Sequence, residues 1–297
     1  MKNTITNRKP IYLIINADDY GYYTCVSRGI LAAAEKGIVT ATGIFANSRL
    51  FDEHIKWLAP ISELDVGVHL NLTNGRPLDL MMKKYLTKWN GEFPDKLTMA
   101  VSILTRKISL TTIMNEWRAQ IERCLNAGLK LQFLNSHEHI HMLPSLFKLV
   151  KRLADEYKIP HIRITSAEWI QDLWVDAIAR NLVISGLSII SKWNINMQTP
   201  IMIGLAKSGK LDYWYLKNRI TSLKSGKIYE LMCHPGYYDS DEIMIPHLLS
   251  YHEWESELQF LLSDQMSDLL DNYNIRLIGY RNIKFDEKSI HVSHTGD

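Results

Sequence analysis

Two adjacent aspartates, Asp18 and Asp19, follow an apolar run in the stretch IINADDYG, which extends from Ile14 to Gly21. Carboxylates in such a place have two common uses. They cap a helix or begin a turn, and Gly21 suits a turn. Alternatively, one carboxylate ligates a metal ion while its neighbour stays free to act as a base. The choice depends on which partners the rest of the chain supplies.

Polar residues with metal-binding or catalytic chemistry recur where apolar, strand-like runs end. These residues are His69 and Asn71 in LDVGVHLNLT, His137, His139 and His141 after LQFLNS, Arg163 in HIRI, and His234 after YELMC. In parallel α/β architectures the functional residues lie at the carboxyl ends of the strands. The distribution therefore predicts one site, built from aspartate and histidine at one end of a sheet.

Imidazole nitrogens and a carboxylate form the ligand set of catalytic zinc or a similar divalent ion. His137, His139 and His141 occupy alternate positions, so on an extended chain they share one face. Such a run is also found as a hydrogen-bonded structural cluster, and an isolated histidine such as His69 is commonly a core residue. The conjunction with the aspartate pair favours a metal site.

Strand-like and helix-like segments alternate along the chain. Tyr12 to Ile15 is predicted to be a buried strand and Val26 to Lys36 a helix. Near the end, IYELMCHPG and IRLIGYRNI are predicted strands, separated by a long helix around Tyr251 to Tyr273. This alternation predicts an α/β barrel, closed or distorted. No linker or repeat divides the sequence, so residues 1–297 are predicted to form one domain.

The composition excludes several classes of protein. The chain has 297 residues, of which 46% are hydrophobic and 22% charged, as is typical of soluble globular proteins. A net charge of +2 and the lack of a basic tract argue against a nucleic-acid partner. Three widely spaced cysteines do not suggest a disulfide framework, and the N-terminal apolar run is too short for a signal peptide. A cytoplasmic location is therefore expected.

Five motifs in order carry a resemblance to a known family: NADDYG, GIVTATGIFANS, GVHLNLTNGRPL, LNSHEHIHMLP and MCHPGYYD. The sequence resembles the YdjC-type carbohydrate deacetylases, which include chitooligosaccharide deacetylases and deacetylases associated with hopanoid biosynthesis. The resemblance extends from about Ile11 to about Asn282. It implies a distorted (β/α) barrel related to the NodB-type polysaccharide deacetylases, and a metal-dependent hydrolase that removes acetyl groups from N-acetylated amino sugars.

The resemblance also implies roles for individual residues. Asp19, His69 and His137 match the ligands of one divalent metal ion, Zn²⁺ or Mg²⁺, and Asp18 matches the catalytic base. His234 in the HPG motif is the predicted acid. By analogy with the wider superfamily Arg163 would hold the base in place, although a surface salt bridge is the competing interpretation. His139, His141, Asn71 and also Arg163 are assigned to substrate contact, with packing as a second role for the two histidines.

One position departs from the family pattern. The family usually has an aspartate where this chain has Asn135, in the LDSH form of the motif. Asparagine keeps the size and the acceptor oxygen of aspartate but loses its charge. A role in orienting a histidine is therefore expected to survive in weaker form.

The segment from about residue 169 to 211 is not explained by these motifs. Part of it, PIMIGLAKSGKLD, resembles the hopanoid-associated branch more than the chitooligosaccharide branch. It is predicted to be an insertion that packs on the barrel or at a homodimer interface, or else a lid over a lipid-linked or large glycan substrate. Its apolar stretch is too short and too interrupted to cross a bilayer.

Two alternatives to the deacetylase remain from the sequence. The first is a catalytically weak sugar-binding or regulatory protein on the same scaffold, a hypothesis that only Asn135 encourages. The second is a metal-dependent hydrolase of phosphate or ester bonds. The second is disfavoured because the chain has no glycine loop that would cradle a phosphate and no further carboxylate-rich site.

Overall fold

Parallel strands with helices on their outer side form the centre of the protein. The structure, a computed structural model, describes residues 9–169, 175–193, 199–286 and 289–292. Its strands are β1 (Ile11–Tyr20), β2 (Ala41–Ile44), β3 (Asp65–Leu70), β4 (Leu131–Ser136), β5 (His161–Ile162), β6 (Ile201–Ile203), β7 (Ile228–Cys233), β8 (Ile275–Leu277), β9 (Ile283–Asp286) and β10 (Ser289–Val292). β9 and β10 pair with each other as a separate antiparallel ribbon.

The main sheet has the order β5-β4-β3-β2-β1-β7-β6, and β8 also pairs with β1. β2 and β8 divide one edge of β1 between them. Ile11–Leu13 pair with β8, whereas the pairing with β2 begins at Asn16. β7 pairs along the other edge, and every one of these pairings is parallel. The prediction of an α/β fold with a distorted barrel is confirmed.

Eleven α-helices lie between or beside these strands in the described ranges. They are α1 (Thr24–Glu35), α2 (Phe51–Trp57), α3 (Leu80–Tyr85), α4 (Lys96–Leu104), α5 (Leu110–Asn126), α6 (Pro144–Tyr157), α7 (Val175–Trp193), α8 (Tyr213–Ile220), α9 (Pro246–Tyr251), α10 (Trp254–Leu261) and α11 (Asp264–Asn272). α6 shows how the sequence specifies them. Proline stands in its first turn, and Leu146, Val150 and Leu153 recur at helical spacing on its buried face.

Side-chain alternation along β1 separates two apolar clusters. Leu13 and Ile15 belong to the large core that also contains helix residues such as Trp117. Tyr12 and Ile14 belong to a smaller cluster, formed by residues of the strands and of the chain after β8, which fills the inside of the barrel. Because residues two apart in a strand share a face, Asp18 continues the inner row above this apolar plug.

The C-terminal third differs from the sequence-based prediction. The long helix expected around Tyr251 to Tyr273 is instead the end of α9 followed by α10 and α11. The Ser263 side chain accepts a hydrogen bond from the backbone N–H of Met266 and so begins a new helix, a capping signal that the apolar pattern obscured. The predicted strand IRLIGYRNI likewise splits into β8, a 3-10 turn at Tyr280–Asn282 and the start of β9.

The segment predicted as an insertion or lid, from about 169 to 211, supplies a helix, α7, and a sheet strand, β6. Residues 170–174 and 194–198 of this segment lie outside the described ranges. The buried Glu168 carboxylate accepts hydrogen bonds from the Gly204 and Ala206 N–H groups and from the Tyr215 hydroxyl. The hydrogen bonds to this carboxylate therefore fix the position of the chain just after β6. No described helix combines the length and apolarity needed to cross a membrane.

Two helical glycines should respond in opposite ways to alanine. A Cβ at Gly29 in α1 would lie 2.5 Å from the Gly236 Cα and 2.7 Å from the Tyr237 nitrogen, so we expect Gly29→Ala to destabilise the fold by about 1–3 kcal/mol through overpacking. A Cβ at Gly186 in α7 meets nothing within 4 Å. Gly186→Ala should therefore stabilise by up to about 1 kcal/mol. Urea unfolding measures the change in the free energy of unfolding for each variant. Changes of the same sign and size in both would contradict this packing.

Candidate active site

Chemically active side chains from four strands of the main sheet, or from the residues just after them, converge at the carboxyl end of the barrel. β1 contributes Asp18 and Asp19, β3 contributes His69, and the chain after β5 contributes Arg163. His234 directly follows β7. All five residues are buried. The structure therefore brings together most of the residues that the sequence analysis selected.

A bulge in β1 lets two adjacent aspartates face the same interior. The pairing of β1 with β2 shifts register between Ala17 and Tyr20, and Asp19 has a φ of 73°. In a regular strand, neighbouring side chains point to opposite faces, but aspartate tolerates this left-handed conformation better than most residues. Of the two structural alternatives, a turn does begin here, because the Tyr22 backbone N–H donates to the Asp19 carbonyl oxygen, but helix capping is wrong. The N-cap of α1 is Tyr23, and no side chain caps this helix.

Asp18 is held by four hydrogen bonds. Arg163 donates to Oδ2 from Nη1 at 2.5 Å and to Oδ1 from Nη2 at 3.0 Å, and the amides of Asn16 and Asn135 donate to Oδ1 at 2.7 and 2.8 Å. Burial by itself raises the pKa of Asp18, but the charge and hydrogen bonds of Arg163 together with His69 and His234 outweigh burial, and the pKa falls to about 2. Asp18 is therefore ionised at neutral pH, and Oδ2 accepts only one of these four bonds.

Arg163 is fully enclosed and joins two carboxylates. In addition to its two bonds to Asp18, its Nε donates to Oε1 of Glu230 at 2.6 Å. The side chain is 0% exposed, so the alternative of a surface salt bridge is wrong, and the predicted substrate contact does not agree with this enclosure. Burial lowers the pKa of Arg163, but Asp18 and Glu230 more than offset this and raise it. The three side chains form a buried ion triad.

Asp19 and His69 face each other without a proper hydrogen bond. Nε2 of His69 lies 3.2 Å from Oδ1 of Asp19, yet this oxygen has no aligned donor among the described residues. Burial raises the pKa of Asp19, but His69, His137 and His234 together outweigh burial, and the pKa is lowered. A buried, ionised oxygen without a donor beside an imidazole nitrogen suits a cation placed between them. These two residues fit the predicted metal ion.

His137, the third predicted ligand, stands close to this pair. Its ring centroid is 5.8 Å from that of His69, and its Nδ1 lies 2.8 Å from the Thr73 hydroxyl. That contact leaves Nε2 as the nitrogen available to a ligand. Tyr22 and Phe45 pack against the His137 ring. Within the described residues, however, no three histidine, cysteine, aspartate or glutamate side chains already have the arrangement of a metal site.

The alternating histidines do not share a face. Residues 137–142 form a 3-10 turn in which Glu138 and His139 have positive φ values of 53° and 57°, so the expected extended conformation is wrong. His141 is 0% exposed, and its two ring nitrogens contact the Ser136 hydroxyl and the Arg163 carbonyl oxygen. Of its two predicted roles, packing agrees with these contacts and substrate contact does not. His139 lies within this turn and is half-buried.

The Asn71 side chain makes hydrogen bonds within the protein instead of the predicted contact with substrate. It is 0% exposed, and its side-chain nitrogen donates to Oδ1 of Asn47 and to the Asn74 carbonyl oxygen. Its own Oδ1 accepts from the Thr73 and Asn74 backbone nitrogens. The side chain folds the loop after β3 and so places Thr73 beside His137. No hydrogen-bonding capacity remains to face a substrate.

His234, the predicted acid, lies at the start of the loop after β7. Its backbone nitrogen donates to Oε2 of Glu257 at 2.6 Å, which fixes the main chain there. Its ring is 5.0 Å from that of His252, which in turn stacks on Trp254 at 4.7 Å. Nδ1 of His234 is buried and has no hydrogen-bond partner among the described residues.

The sequence analysis did not assign roles to several residues of this site. Glu230 was detectable, because it is the one charged residue in the apolar strand IYELMC. Asn16 and Thr73 lie within the recognised motifs, but nothing in the sequence shows that Asn16 contacts Asp18 or that Thr73 contacts His137. His252 lies 18 residues after His234, outside every motif, and only folding brings their rings together.

Comparison with known proteins shows the family to which the chain belongs. Residues 12–272 match the family model described as YdjC-like protein. A carbohydrate deacetylase of Clostridium beijerinckii is 30% identical over 273 residues, which cover 91% of this chain and 99% of the relative. One of Geobacillus stearothermophilus is 31% identical over 234 residues, covering 77% and 81%. The chain belongs to the YdjC-like family, which confirms the resemblance; the branch within it stays a prediction.

A solved structure has the same overall architecture. A protein of Enterococcus faecalis V583, provisionally described as a cellobiose-phosphate cleavage protein, superposes with a TM-score of 0.69. The match covers 92% of this chain and 98% of that protein, at 24% sequence identity. At this level of identity the similarity establishes a shared fold.

The ion triad should be far more sensitive to mutation than a surface pair. We expect Arg163→Met to cost about 3–5 kcal/mol, because it leaves Asp18 and Glu230 buried without a cation. Arg76 is the matched control. It pairs with Glu92 at 3.5 Å but is 75% exposed, so Arg76→Met should change stability by less than about 1 kcal/mol. Denaturant unfolding measures both, and similar losses would contradict the assigned burial.

Proposed function

We propose that this chain is a metal-dependent carbohydrate deacetylase that hydrolyses the acetamide of an N-acetylated amino sugar, in an oligosaccharide or a glycolipid. One observation carries the proposal. An ionised aspartate held rigidly by Arg163 stands next to an Asp19–His69 pair whose facing atoms suit a cation. The relatives named carbohydrate deacetylase supply the substrate class.

The predicted ligands are Asp19, His69 and His137, for one divalent ion, Zn²⁺ or Mg²⁺. When bound, such an ion supplies Lewis-acid polarisation of the acetyl carbonyl and lowers the pKa of the attacking water. The chain's own contribution is to orient these donors. Asn135 contacts Nδ1 of His69 and Thr73 contacts Nδ1 of His137, which leaves Nε2 of each ring free for coordination.

Asp18 is suited to accept the proton of the attacking water. Oδ1 already accepts three hydrogen bonds, whereas Oδ2 accepts only one, from Arg163, so Oδ2 has the remaining electron pair. His234, which directly follows β7, donates a proton to the departing sugar nitrogen. Water adds to the carbonyl carbon, the C–N bond breaks, and the products are acetate and a free amine.

Acetate release tests the function directly. We expect the purified protein to release acetate from N-acetylglucosamine oligomers. Acetate release should stop after treatment with a chelator and recover when Zn²⁺ or Mg²⁺ is restored, because the proposed mechanism requires the ion. Adding Zn²⁺ and Mg²⁺ in separate samples shows which of the two ions restores acetate release. Bound metal without acetate release from any acetylated sugar would favour the alternative of a sugar-binding or regulatory protein.

The two aspartates should separate by phenotype. Asp19→Asn removes a predicted ligand and should lose metal and turnover together. Asp18→Asn should retain metal but lose about 10²–10⁴ in rate, since an amide accepts a hydrogen bond but does not take up the proton. Metal content and acetate release, measured on folded protein, distinguish the two variants. Turnover at the wild-type rate by Asp18→Asn would refute the assignment of the base.

A further inference from the structure

Asn135 connects the predicted base to a predicted metal ligand. It is fully buried near the end of β4 and lies opposite His69 in the register of β3 and β4. Its Oδ1 is 2.8 Å from Nδ1 of His69, and its Nδ2 is 2.8 Å from Oδ1 of Asp18. A single amide therefore bridges two residues with different predicted roles.

Asp18 decides which way this amide points. An ionised carboxylate only accepts hydrogen bonds, and Asp18 forms an ion pair with Arg163, which donates to both of its oxygens. The amide nitrogen of Asn135 must therefore face Asp18, and the amide oxygen must face His69. The flipped amide would place its oxygen about 2.8 Å from a carboxylate oxygen, with no proton between them.

The amide orientation in turn decides the tautomer of His69. An amide oxygen only accepts, so Nδ1 of His69 must carry the ring proton. In the neutral ring Nε2 then has a free electron pair, and Nε2 lies 3.2 Å from Oδ1 of Asp19. The opposite tautomer would need a hydrogen bond from Nε2 to this oxygen, but the two atoms are not aligned for one.

A glycine on the neighbouring strand leaves the space that this bridge needs. A Cβ at Gly43 in β2 would lie 3.1 Å from Oδ1 of Asn135 and 3.2 Å from Nδ1 of His69. These are the two atoms that form the hydrogen bond. A larger residue at this position would therefore press on the Asn135–His69 contact itself.

We propose that Asn135 is a positioning residue that links the fixed acceptor oxygen of Asp18 to His69, so that His69 presents the Nε2 electron pair to the metal ion. The proposal rests on the metal site of the proposed function. Both ends of the amide are needed. Its nitrogen donates to the Asp18 carboxylate, and its oxygen accepts from Nδ1 of His69 and so fixes the tautomer of the imidazole. The site thereby couples the geometry of the base to that of a ligand.

The tautomer of His69 can be measured without any metal. Ring ¹⁵N chemical shifts of histidine-labelled, metal-free protein, recorded at alkaline pH where the ring is neutral, report which nitrogen carries the proton; the His69→Gln variant assigns the signal. We expect the proton on Nδ1 in the wild type and a mixture of tautomers in Asn135→Leu. A wild-type proton on Nε2 would overturn the proposal, whether or not the protein releases acetate.

Zn²⁺ affinity, measured by competition with a chromogenic chelator, gives the second readout. Asn135→Leu should bind Zn²⁺ about 10–100-fold more weakly, because both ends of the bridge are lost. Ser136→Ala is the control, because Ser136 is equally buried beside Asn135 but contacts His141 instead. Wild-type affinity in Asn135→Leu would overturn the proposal. If that variant does not fold, Gly43→Ala tests the same contact and should also weaken binding.

Discussion

The buried triad of Asp18, Arg163 and Glu230 is the interaction on which the rest of the site depends. Arg163 follows β5, which lies at one end of the sheet order, whereas Asp18 and Glu230 lie on β1 and β7 near the other end. Their contacts are possible only because the sheet curls and brings β5 across the barrel. Burying three charges is costly unless every hydrogen bond is made, so the same contacts that hold the base also favour one curvature of the sheet.

The second constraint is the backbone of β1. A regular strand would send Asp19 to the helix side, into the apolar core, where an ionised carboxylate is strongly disfavoured. The register shift before Tyr20 and the positive φ of Asp19 turn both aspartates toward the inside. The bulge therefore has a chemical consequence: it places the fixed carboxylate of Asp18 next to that of Asp19, whose Oδ1 has no hydrogen-bond donor among the described residues.

Polar residues at the strand ends divide into two kinds. Asp18, Asp19 and His69 face the interior of the barrel, with atoms that point toward one another. Asn71 and His141 have equally suggestive chemistry but use all their hydrogen-bonding groups on the local backbone and on neighbouring side chains. These supporting residues fix the loops that carry the site. A buried polar group usually has a partner, and the partner decides whether it supports the fold or faces a ligand.

The sequence by itself determined the parallel α/β architecture and the positions where reactive side chains occur, because hydrophobic periodicity and residue type are local properties. It located Asp18, Asp19 and His69 at strand ends for this reason. It did not determine that Arg163 is buried or that the histidine run, including His141, leaves the extended conformation. Those outcomes depend on contacts between residues far apart in the chain, such as the 145 positions that separate Asp18 from Arg163. Only the curled tertiary structure brings such groups within hydrogen-bonding distance, and so only it decides which polar residues pair and which remain free for chemistry.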